Sequence, residues 1–199
     1  MFELILEWLL SNKIEILGAI LGILYIFFSI RQSIFTWPTG LLTSALYIVV
    51  FFQSKFYADM GLQVYYVGIS IYGWYYWIKG EKSANSKTVP VRRTNKQLWL
   101  RLTILATILY FGILVILLNL TDSDVPYMDS FTTALSIIAT WMLAKKYIEH
   151  WLIWIFVDFI SAGLYIYKGL CPTVILFAVY TIMAYLGYNE WEKDLKSQA

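Results

Sequence analysis

Apolar stretches about as long as a bilayer core is thick recur along this chain, and that recurrence restricts its fold more than any motif does. They lie near residues 14–30, 36–53, 58–79, 98–120, 127–144, 150–168 and 170–188. A transmembrane helix needs roughly 20 apolar residues, so the pattern predicts seven spans and an all-α integral membrane protein. Composition excludes the soluble alternative. Of 199 residues 60% are hydrophobic and 14% charged, whereas ordinary globular chains carry about 25% charge. A soluble fold of this size could not hide so much apolar surface. The aromatic load of 9 Trp, 16 Tyr and 12 Phe suits membrane interfaces and flat ligand sites equally.

The one clearly polar segment, KGEKSANSKTVPVRRTNK over residues 79–96, reads as a flexible loop between the third and fourth spans. With seven spans, one side of the membrane receives Arg31, seven basic residues from Lys79 to Arg101, Lys145, Lys146, Lys193 and Lys196, twelve in all. The other side receives only Lys13, Lys55 and Lys168. The positive-inside rule then places the C-terminus and the long loop in the cytoplasm and the N-terminus outside. Asp122, Asp124 and Asp129 fall outside as well. An even number of spans would scramble this division. No cleavable signal is evident, because FELILEWLL carries Glu3 and Glu7 in place of a basic start. Those two glutamates fit an interfacial helix or a frayed first span alike.

An ungapped shift of 114 residues superposes the chain on itself. It sets Trp37 on Trp151, Leu62 on Leu176, Tyr66 on Tyr180, Gly73 on Gly187 and Trp77 on Trp191, with Arg31 on Lys145. Leu21, Ile23 and Ile34 also meet identical partners. The expected organisation is a parallel 3+1+3 pseudo-repeat. A first three-helix repeat covers 14–79, a cytoplasmic loop 80–97, a linker helix 98–120 and a second three-helix repeat 127–191. Some transporters are built this way, with the ligand between the halves near the midplane; an inert duplicated scaffold is the alternative.

Polar residues inside the spans favour transport over that scaffold. Asp158 lies within IWIFVDFISAG, where a carboxylate costs about 2.5–3.5 kcal/mol to insert and so needs a cavity or a partner. Trp151 and Trp154 precede it at helical spacing, so the three share one stripe. Two indoles and a carboxylate suit a flat cationic ring, through stacking, cation–π attraction and opposite charge. The competing readings are a structural hydrogen bond for Asp158 and an interfacial belt for the tryptophans. Gln63 and Tyr66 lie three apart in the third span, and a glutamine amide can both donate to and accept from an amide or aminopyrimidine. Tyr180, the repeat mate of Tyr66, is expected to approach the same cavity. Trp74, Trp77 and Trp191 sit near lysines and read as interfacial anchors. His150, a lone histidine at a span end, reads as solvated or capping. Cys171, beside Pro172 in a short turn, reads as a small filler.

Other chemistries lack their residues. P-loop, H-E-x-x-H and G-x-S-x-G patterns are all missing, and one His with one Cys offers no conventional metal cluster. No catalytic residue, metal, cofactor or nucleic-acid partner is expected. A membrane enzyme would need Asp158 to meet another carboxylate such as Asp129, which sits on a different span near the outer surface. An assembly subunit working with a partner ATPase is the third possibility.

Taken in order, WPTGLLTSALY, FYADMGLQVYY, IYGWYYW, DSFTTALS, KYIEHWLIWIFVD and GYNEW resemble the Pnu vitamin transporters of PnuC type, over about residues 15–191. The resemblance implies uptake of a vitamin precursor across a bacterial inner membrane by facilitated diffusion, with trapping by a cytoplasmic kinase. Nicotinamide riboside is the favoured substrate on family prevalence; thiamine is the alternative, and some relatives take riboflavin. It also implies a homotrimer. The family's W-x-x-W falls on Trp151 and Trp154, its following Asn/Asp position on Asp158, and its third-span Gln and Tyr on Gln63 and Tyr66.

Overall fold

The structure, a computed structural model, describes residues 13–53, 57–80, 89–121, 123–167 and 171–197. Seven helices occur among them. They are α1 (Lys13–Ile30), α2 (Thr36–Gln53), α3 (Tyr57–Lys79), α4 (Lys96–Leu120), α5 (Pro126–Ala144), α6 (His150–Tyr167) and α7 (Cys171–Ser197). Each covers one expected span. Glu3 and Glu7 lie outside the described residues. The last helix runs beyond residue 188, because its final turns exchange lipid-facing residues for ion pairs. Lys193 reaches Glu190 and Lys196 reaches Glu192, each at 3.1 Å.

Local sequence explains several helix ends. Asn95 caps α4 by accepting from the Leu98 amide at 2.8 Å. Pro126 opens α5, where its missing N–H leaves nothing unpaired, and Asp129 adds negative charge to the first turn. Mean hydropathy reaches 2.4 over the most apolar window of α4, of which 17% is buried. Among the described residues, only this helix qualifies as a span on length and uniform apolarity alone. The others also carry glycines, hydroxyls and aromatics, which lowers their mean hydropathy; among these Ser29, Ser44, Ser70, Ser136 and Ser161 are buried between helices. On the outer faces Leu100, Ile104, Ile108 and Phe111 of α4, with Phe156, Phe159, Ile175 and Ile182 of α6 and α7, stand exposed. So continuous an apolar belt fits hydrocarbon and not water.

Helix packing obeys the 114-residue shift. α2 packs on α3 as α6 packs on α7, α1 on α2 as α5 on α6, and α1 on α7 as α3 on α5. α4 lies mainly against α5. The shared sequence anchors form the same contact twice. A Cβ at Gly73 would sit 2.3 Å from the Trp37 ring, and one at Gly187 would sit 2.5 Å from the Trp151 ring. Trp37 meets Trp77 edge-on at 5.2 Å, and Trp151 meets Trp191 edge-on at 5.8 Å. Trp77 and Trp191 are therefore core residues and not interfacial anchors. Their indole nitrogens donate to the Ala144 carbonyl at 3.1 Å and the Ser29 carbonyl at 3.0 Å, tying each half to the other. Trp74, half-exposed, keeps a position suited to an interface.

The corners between helices are related too. Gln32 and Lys146, 114 residues apart, carry positive φ of 50° and 58°. Lys146 Nζ donates to Gln32 Oε1 at 2.8 Å, Gln32 Nε2 donates to Asp194, and the ammonium lies 4.6 Å from the Trp77 ring centre. The end of the polar loop is docked, contrary to a wholly flexible reading. Val89 and Val91 are buried, Arg92 exchanges backbone hydrogen bonds with Lys146 and Ile148, and Thr94 donates twice to Glu149. Residues 81–88 lie outside the described set.

Burial lowers the Lys146 pKa from 10.5 to about 8, and the Asp194 carboxylate opposes the shift only in part. Between those values the unfolded chain binds more protons than the folded one, so stability rises with pH through this window. The gain is at most about 2 kcal/mol over about 1.5 pH units. In detergent, the wild-type Tm should rise from about pH 8 to about pH 9.5 relative to that of Lys146→Met. Parallel pH profiles for the two proteins would contradict this assignment.

Candidate functional site

A cavity of about 200 Å³ opens between α1, α6 and α7. Its position follows from the helix faces. On α6 the residues that reach it are His150, Trp151, Trp154 and Asp158, which recur at the three- and four-residue spacing of one helical face. Tyr180 and Ala184 come from α7, and Gly22, Tyr25 and Ser29 from α1. Gly22 is small for a reason: a Cβ there would stand 3.1 Å from the Tyr180 hydroxyl. Four of the six expected site residues therefore meet in one wall: Trp151, Trp154, Asp158 and Tyr180.

Asp158 is 5% exposed and makes no hydrogen bond or ion pair with any described residue. A neutral phenol, that of Tyr180, is its neighbour in space and also lies near Tyr47. An unpaired carboxylate in a membrane interior is expensive, and here it stands at a cavity lined in part by the aromatic rings of Tyr25, Trp151, Trp154 and Tyr180. Trp154 is half-buried and presents indole to the cavity. Trp151 is differently placed from the pairwise stacking expected of it. Its ring packs against Gly187, Trp191 and His150, leaving Trp154 as the freer of the two.

His150 is fully buried, not solvated. Its ring lies 4.5 Å from that of Trp151 and 4.8 Å from that of Trp191, and Nδ1 sits 2.7 Å from the Tyr147 carbonyl. The α5–α6 corner turns the start of α6 inward, which a linear sequence does not reveal. Gln63 and Tyr66 stand outside the cavity wall. Tyr66 is nonetheless next in line: it lies beside Tyr25, which does face the cavity, and its hydroxyl bonds to Ser136 and Thr140. Gln63, one turn earlier on α3, is half-buried and has no partner among the described residues. Tyr25 and Gly22 went unnoticed in the sequence, although a tyrosine well inside the first apolar stretch was an available signal.

Asp129 is bonded to Ser123 at 2.6 Å, at the opposite end of α5 from the α5–α6 corner. No group of three potential metal ligands occurs among the described residues. A second cavity of about 360 Å³ between α4, α5 and α6 is lined by Leu102, Ala106, Tyr110, Phe131 and similar residues, without a charged side chain.

A nicotinamide mononucleotide transporter family model matches residues 12–193, nearly the whole bundle just described. The chain belongs to this family. It is an all-α membrane transporter. The Nicotinamide riboside transporter PnuC of Escherichia coli K12 is 28% identical over 202 residues, covering 89% of this chain and 84% of that protein. The Riboflavin/roseoflavin transporter RibM of Streptomyces davaonensis is 25% identical over 181 residues, covering 89% and 83%. A crystal structure of the Vitamin B3 transporter PnuC superposes with a TM-score of 0.78 at 23% identity, covering 99% of this chain and 88% of that one, so the fold is shared.

Proposed function

We propose that this transporter carries nicotinamide riboside across a bacterial inner membrane by facilitated diffusion, with phosphorylation by a cytoplasmic kinase holding the product inside. The observation that carries the reading is the unpaired, buried Asp158 one turn from Trp154 at the cavity between α1, α6 and α7. A pyridinium ring stacks on indole and is attracted by the carboxylate. Trp151, Trp154, Asp158 and Tyr180 form the ring side of the site, and Gln63 and Tyr66 approach from the first repeat. The two three-helix repeats, 14–79 and 127–191, act as the two walls, with α4 outside them. The protein performs no chemistry on its substrate. Basic residues concentrate on one side, which supports a cytoplasmic C-terminus and an external N-terminus. As in the family it resembles, the assembly is a homotrimer with one pathway per protomer.

Binding tests the substrate. Nicotinamide riboside should raise the Tm of purified protein in a concentration-dependent way, more than thiamine or riboflavin at equal concentration. A larger shift with thiamine would transfer the reading to that vitamin. Asp158→Asn keeps the shape and loses the charge, so affinity for nicotinamide riboside should fall about tenfold, or about 1.4 kcal/mol. Unchanged affinity would remove Asp158 from the site.

A further inference from the structure

The two corners related by the 114-residue shift are built alike and held differently. Gln32 and Lys146 both stand in the left-handed backbone region, at φ of 50° and 58°, a strained conformation for residues that carry a side chain. At the α5–α6 corner the backbone itself is strapped. The Arg92 amide donates to the Lys146 carbonyl at 2.9 Å, and the Ile148 amide donates to the Arg92 carbonyl at 3.0 Å. Thr94 gives its amide and its hydroxyl to the Glu149 carboxylate at 3.0 and 2.7 Å, and Val89 and Val91 are buried behind them.

The α1–α2 corner has no such strap. Among the described residues, the backbone hydrogen bonds of this corner all close within residues 27–39. Side chains tie it to the rest of the bundle. Gln32 stands between opposite charges: its carbonyl oxygen accepts from the Lys146 ammonium at 2.8 Å, and its amide nitrogen donates to the Asp194 carboxylate of α7. One neutral amide thus joins a cation to an anion through two charge-assisted hydrogen bonds. Three residues earlier, the Ser29 carbonyl accepts from the Trp191 indole at 3.0 Å.

These contacts close one end of the cavity. Ser29, Leu143 and His150 line it there, and each lies within four residues of Gln32 or Lys146. Trp191 stands behind them, its ring 4.8 Å from that of His150. A ligand leaving the cavity at this end passes between the two corners and the end of α7. A carrier exposes one site alternately by moving one part against another, and hinges are a few residues at element ends that absorb the change in φ and ψ. The strapped corner is bound to residues 89–94 through its backbone. The other corner is released when the bonds to its side chain and to Ser29 break, and release also relieves the strain at Gln32.

We infer that the α1–α2 corner is the moving leaf of a gate at the basic end of the bundle, with Gln32 as its latch and the strapped α5–α6 corner as its fixed post. This rests on the reading of the chain as a nicotinamide riboside carrier whose basic end faces the cytoplasm, which makes the gate the one through which substrate is released.

Reversible bridging of paired cysteines tests the gate in a Cys171→Ser background, which removes the one native thiol. Gln32→Cys with Lys146→Cys puts a thiol on each side of the latch, and Thr94→Cys with Glu149→Cys puts one on each side of the strap. Each pair is joined by a short bis-methanethiosulfonate, and entry of nicotinamide riboside into liposomes is measured before bridging, after it and after reduction. Bridging the latch should lower entry at least about tenfold, with calorimetric affinity within about threefold, and reduction should restore entry. Bridging the strap should leave entry unchanged. Undiminished entry with the latch bridged overturns the gate, and entry blocked by bridging the strap overturns the fixed post. Hydrogen exchange on the wild-type protein in detergent needs neither substitution nor substrate. Amides of residues 31–36 should exchange at least about tenfold faster than those of 146–150, and equal protection overturns the moving leaf. A protein that shows this contrast but neither binds nor carries nicotinamide riboside keeps the gate and loses its assigned cargo.

Discussion

Trp154→Ala is expected to lower affinity for nicotinamide riboside about 100-fold, or about 2.7 kcal/mol, while the protein still inserts and folds. The magnitude follows from position. Trp154 faces the cavity from the same helical side as Asp158, so truncation removes the stacking surface and widens the space in which the carboxylate acts. Cation–π attraction in a desolvated site contributes about 2 kcal/mol or more, and lost apolar contact adds to it. Trp151→Ala is a different experiment, because Trp151 also fills the core at Gly187 and its loss should cost stability first. Isothermal titration alongside a melting curve separates the two cases. An affinity for Trp154→Ala within threefold of wild type would place the ring elsewhere.

Gly187→Ala and Gly73→Ala should be the most destabilising single-methyl changes in the bundle. Each new Cβ would stand at 2.5 Å or 2.3 Å from an indole that is itself buried, and neither ring has room to retreat. Overpacking of this kind costs about 1–3 kcal/mol and more where the obstacle is rigid. Gly61→Ala and Gly112→Ala meet nothing within 4 Å and serve as neutral controls. The two clashing variants should also differ from each other. Gly187→Ala pushes Trp151 toward the cavity and should weaken binding, whereas Gly73→Ala acts on Trp37, which does not line it. Melting temperatures equal to those of the controls would contradict the duplicated indole–glycine contact.

The fold was largely legible because its determinants are local. Apolar length gives the spans, the distribution of lysine and arginine gives an odd number of them, and one shift pairs Trp37 with Trp151 and Gly73 with Gly187. Where reading failed, the missing information was three-dimensional. Trp77 and Trp191 sit beside lysines in sequence, yet a glycine four residues earlier on each helix makes space for an indole of the same repeat, and the Trp77 and Trp191 ring nitrogens then cross to the opposite repeat. Their being repeat mates was the available warning. Trp74, whose mate is Tyr188, stayed near the surface. His150 looked like a span-end residue until the corner at Lys146 turned it inward. The cavity was half legible. The spacing of Trp151, Trp154 and Asp158 sets one face of α6, but Tyr25 and Gly22 are brought to it by the packing of α1 on α7, which no local pattern encodes.

Transport by the purified protein in sealed liposomes tests the central claim most directly. Labelled nicotinamide riboside should enter saturably and equilibrate without ATP or an ion gradient, and Trp154→Ala should slow entry at low substrate concentration. Entry no faster than into protein-free liposomes, or accumulation that disappears when a proton or sodium gradient is removed, would contradict it.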